Sequence, residues 1–225
     1  MSEIKALRDL AKQTLILSNI RGGVDSSLWD RSKRLVRNVG FICGLDDLRR
    51  ADFQIDRFCL TGAAYFCESG LTRYQDAEER FSYLAMSNGK SSEMFENSTL
   101  VTTDVLRKVL DKARIDKINR IILDSGNRFT SRIESLILSD ARNLDDMGAV
   151  GVFNELRRQV FAGRGISDAV SSWERKIDYR YWQARLNEGF RFESVRQIAK
   201  QRLLAADHFM NQLKSENYVE DTEGI

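Results

Sequence analysis

The 225-residue chain carries 35 Lys and Arg against 33 Asp and Glu, a net charge of +2 that is too balanced for a polybasic nucleic-acid or anionic-membrane surface. Hydrophobic residues make up 42% and charged residues 30%, the profile of a soluble globular protein with a substantial core. Pro is absent where an average usage of about 5% would give roughly eleven, and because Pro breaks helix interiors and marks turns, its absence predicts an all-α chain.

The N-terminus is amphipathic and charged, with no secretory core, and no apolar run approaches a membrane span. Cys43, Cys59 and Cys67 are odd in number, sit in apolar helical stretches and lack metal-ligand spacing. They read as reduced, buried thiols in a cytoplasmic protein.

In chain order, Ser2 to Leu17 is a leading amphipathic helix, followed by a turn at Ile20 to Gly23. Asp25, Ser26 and Ser27 offer caps for a second helix to Gly44, striped by Leu28, Leu35, Val36, Val39, Ile42 and Cys43. Arg31 lies on that stripe, one turn before Leu35. A third helix is expected from Asp46 to Gly70; its Phe58 to Cys67 segment holds no charge, as befits a central helix, and Glu68 ends the run.

Leu71 to Met86 reads as a polar helix and Ser87 to Thr102 as a long surface loop. Helices are expected again at Asp104 to Ala113, Asp116 to Leu123 and Thr130 to Leu144. The last carries Ile133, Leu136, Ile137, Ala141 and Leu144 in register, and Asp140 falls on the same stripe. An ionised carboxylate there ends its helix in a wet cleft or has a specific partner. Val150 to Val160 forms a further helix, Ser167 or Asp168 caps another that runs to Gly189, and Phe192 to Leu213 is the last. In the helix to Gly189, Trp173, Tyr181 and Trp182 are read as core and Tyr179 as exposed. Residues 216–225 are read as a disordered acidic tail.

Three otherwise apolar helices thus each place one charge on the core side: Arg31, Glu68 and Asp140. In their order they resemble the HD-domain metal-dependent phosphohydrolases. Leu144-Asp145-Asp146-Met147-Gly148-Ala149-Val150-Gly151 is similar to the run after that family's last metal-binding Asp, which aligns Asp140 with that ligand. Ala64 to Gly70 resembles the family's His-Asp stretch, with Cys67 for the His and Glu68 for the Asp. Arg31-Ser32-Lys33-Arg34-Leu35 resembles its first His segment, with Arg31 for the His. The resemblance implies an HD-like helical bundle of about eight to ten helices in a single domain over 1–225. Its core spans about 25–210, with a helix and loop inserted at 71–102.

The substitutions in that pattern bear on function. Arg31 has no lone pair to give a metal, and the only histidine, His208, sits on the last long helix and reads as a surface residue. The remaining donors are Asp140, Glu68 and a Cys67 thiol, a class whose ordinary pKa of about 8.5 leaves it largely protonated at neutral pH. The leading expectation is therefore a degenerate, catalytically inactive module without bound metal, binding a small molecule or protein. In it Arg31 takes the metal's place and pairs with Asp140, Glu68 or both, and Asp124, Arg34 and Asp145 support the pocket. A second expectation is a phosphohydrolase of nucleotides or phosphomonoesters using Mn, Fe or Mg held by Asp140, Glu68 and Asp124. A third is a pocket that binds phosphate through Arg31, Lys33, Arg34 or Arg37 without turning it over.

Overall fold

A computed structural model describes residues 3–18, 22–49, 53–73 and 91–222, and they are helical apart from turns and one two-residue ladder. The fold is all-α. The chain divides into two compact units, 1–141 and 142–225.

In the first unit, α1 (Glu3–Leu15) buries Leu7, Ala11 and Leu15, and Leu17–Ser18 pairs antiparallel with Val24–Asp25 before α2 (Ser27–Ile42). The Asp25 carboxylate accepts the Ser27 N–H at 2.8 Å, which starts α2 where the sequence places it. The expected helix from Asp46 to Gly70 is two helices, α3 (Asp46–Arg49) and α4 (Arg57–Phe66). Asp56 accepts the Cys59 N–H at 2.9 Å and so caps a fresh helix start, a signal hidden among the preceding charges.

Helix α4 is central, with Cys59, Leu60 and every residue from Gly62 to Phe66 buried. It packs on α1, α2, α5 (Ser91–Leu106) and α6 (Lys112–Asp124). Gly62 permits the close approach to α6: a Cβ there would lie 2.8 Å from Ile118 Cδ1.

The loop expected at 87–102 is corrected over its described part, because α5 covers 91–106. Its buried positions are Met94, Phe95, Ser98, Thr102 and Leu106, a helical stripe carrying two hydroxyl residues where aliphatics would have shown it. Thr102 donates to the Ser98 carbonyl at 2.7 Å, so the hydroxyl is satisfied within the helix. The expected helix at 104–113 is two pieces as well: α5 ends at Leu106, and Asp111 caps α6 through the Arg114 N–H at 2.9 Å. The polar helix expected at 71–86 lies largely outside the described residues, as does most of the 71–102 insertion. Ser69–Arg73 forms a 3-10 turn.

Helix α7 spans Ile133–Asp145. Glu134 is 5% exposed, and its Oε1 accepts the Asp56 N–H at 3.2 Å, fixing the start of α4 to α7.

The second unit holds α8 (Ala149–Phe161), α9 (Ile166–Asp178), α10 (Tyr181–Glu188) and α11 (Glu193–Tyr218). The helix expected up to Gly189 breaks at Arg180, whose φ of 52° is left-handed and ends α9. Trp173 and Trp182 are buried as expected and Tyr179 is exposed, but the break turns Tyr181 outward to 40% exposure. The acidic tail expected at 216–225 is corrected over its described part, residues 223–225 lying outside it: α11 continues to Tyr218, and Glu220–Thr222 forms a 3-10 turn. Among the described residues, no helix is long and apolar enough to cross a membrane.

Candidate functional site

Arg31 sits one turn into α2, on the face that also buries Leu28, Ser32 and Leu35. Glu68 lies just beyond α4. The chain reverses there because Gly70 packs against α5: a Cβ on it would lie 2.3 Å from the Met94 carbonyl oxygen and 2.6 Å from the Ser98 nitrogen. Ser98 pins the turn. Its Oγ accepts the Gly70 N–H at 2.9 Å and lies 2.9 Å from the carbonyl oxygens of both Cys67 and Met94, donating to one at a time. Ser98 was not among the residues singled out from sequence. Its position on the α5 stripe, flanked by Met94, Phe95 and Thr102, was the available signal.

The turn delivers Glu68 to Arg31. Arg31 Nε donates to Glu68 Oε2 at 2.5 Å and Nη2 donates to Oε1 at 3.0 Å, a two-point pair with side chains only 16% and 12% exposed. Cys67 is fully buried, with its Sγ 3.8 Å from the Ala64 carbonyl oxygen. Beside the pair runs a crevice lined by Leu28, Ser32, Leu35, Ala64, Cys67 and Glu68, too narrow to hold a water molecule.

Asp140 is fully buried on α7. The next carbonyl, of Ala141, accepts from Asn38 Nδ2 at 3.2 Å. Asn38 lies seven residues after Arg31 and so projects from the same side of α2. That side of α2 therefore reaches α7 at the Ala141 carbonyl.

Asp124 ends α6 and receives Arg132 Nε at 3.0 Å, a part-exposed tie across the α6–α7 turn, so the structure does not bring it to Arg31 or Glu68. Arg34 is half-buried, and Lys33 foremost, with Ser26 and Arg34 adding, holds the Asp30 carboxyl below its usual range against the effect of burial. Arg37 and His208 are exposed. Asp145, 2% exposed, closes α7 in the second unit, where the glycines after it serve packing. Gly148 has φ of 82°, a Cβ on it would lie 2.9 Å from Arg202 Cβ, and Arg202 Nη1 donates to the Leu144 carbonyl at 2.8 Å.

Of the metal donors expected from the sequence, Glu68 is engaged by Arg31. Both Glu68 oxygens are occupied by a guanidinium that cannot coordinate, and a metal beside it would meet a fixed positive charge. Among the described residues, no three His, Cys, Asp or Glu side chains are grouped as metal ligands.

The architecture defines an all-α class of protein. Similar solved structures include Bacillus subtilis YpgQ in complex with ADP, with a TM-score of 0.62 and 17% identity over 95% of this chain and 94% of that one. A further crystal structure of Bacillus subtilis YpgQ aligns with a TM-score of 0.62 and 16% identity over 95% of both chains. The Lin1889 protein of Listeria innocua aligns with a TM-score of 0.60 and 20% identity over 97% of this chain and 99% of that one. At these identities the likeness is one of fold. No protein-family model matches the sequence, and no curated protein matches it.

Proposed function

We propose that this chain is a degenerate HD-domain protein that acts by binding rather than by hydrolysis, with Arg31 standing where a catalytic cation would sit. The observation that carries the reading is the two-point Arg31–Glu68 pair. A guanidinium neutralises carboxylates as a metal does, but it offers no open coordination position and cannot lower the pKa of a bound water. The resemblance of Leu144 to Gly151 to the family's packing run supports the alignment of Asp140 with a former ligand.

A second reading, nucleotide binding, is favoured by one observation: the similarly folded YpgQ was solved with ADP. Incubating the full chain with ADP, ATP and a chromogenic phosphomonoester in the presence of Mn²⁺ or Mg²⁺ tests the first reading. No product above the buffer rate is expected, and turnover abolished by Asp140→Asn would overturn it. A rise in melting temperature with ADP alone would establish the second reading and leave the first standing.

A further inference from the structure

We draw no further inference here: the strongest candidate, the surface patch at Phe129, which the turn from Asn127 to Thr130 between α6 and α7 holds 93% exposed, carries nothing because nothing in the structure shows what covers it.

Discussion

Arg31 and Glu68, 37 residues apart, close a two-point ion pair in which the guanidinium occupies both carboxylate oxygens, at 2.5 and 3.0 Å. Arg31 reaches it from the buried stripe of α2, and Glu68 from a turn that Ser98 and Gly70 hold against α5. Truncating the arginine would leave a shielded carboxylate without this partner. Arg31→Ala is expected to cost about 3 kcal/mol in urea unfolding, the lower end of the range for breaking a buried pair because both groups keep some solvent contact. Arg31→Lys should recover only part of the loss, since an ammonium cannot make the planar two-point contact. Equal midpoints for Arg31→Ala and the parent would contradict the description of the pair.

The turn that carries Glu68 makes a second prediction. Gly70→Ala drives a Cβ into backbone atoms of Met94 and Ser98 that cannot rotate away, so α5 must part from the turn. It is expected to lower the melting temperature strongly. Gly40→Ala is the control: in α2, a Cβ there meets nothing within 4 Å, and the change should be neutral or stabilise by up to about 1 kcal/mol.

Acid stability in the second unit should depend on Glu155. Burial raises its pKa, but Arg158, Lys176 and Gln159 outweigh that and hold it down to about 2. Because the folded value lies below the unfolded one of about 4.3, the group contributes stability above the unfolded pKa, and the contribution is lost as pH falls toward 2. Urea midpoints of the parent should drop from pH 5 to pH 2 more steeply than those of Glu155→Gln. Parallel curves would count against the assignment.

The thiols should be inert until the chain unfolds. Cys43, Cys59 and Cys67 are all buried, and burial, with Asp56 adding, pushes the Cys59 thiol up to about 12. Mass spectrometry after iodoacetamide at pH 8 is expected to show no adduct on the native chain and three in urea. Rapid native labelling of Cys67 would show that the crevice opens.

Sequence periodicity was a good guide wherever the buried stripe was aliphatic or its one exception was charged. Asp140 and Arg31 stood out because a charge replaces an expected leucine, and both lie in the protein interior or at its edge. Helix α5 did not stand out, since Ser98 and Thr102 take core positions and satisfy their hydroxyls on carbonyls of their own helix and of the neighbouring turn, a choice that composition reads as loop. Breaks within apparently continuous helices were equally hard to see. Asp56 caps α4 from among other charged residues, and Arg180 adopts a left-handed conformation that no residue type announces. Glu134 starts its helix, where a carboxylate is ordinary, so its role in holding the Asp56 N–H shows only in the tertiary contact. Asp124 looked able to join the site by its place in the chain, but Arg132, eight residues on, takes it.

In the function proposed for this chain, Arg31 stands where a catalytic cation would sit. Elemental analysis of the purified full chain for Mn, Fe, Zn and Mg, after dialysis against each metal, tests it most directly. Metal contents well below one equivalent per chain are predicted, unchanged by Asp140→Asn. One equivalent of any of these metals, lost in Asp140→Asn or Glu68→Gln, would contradict it.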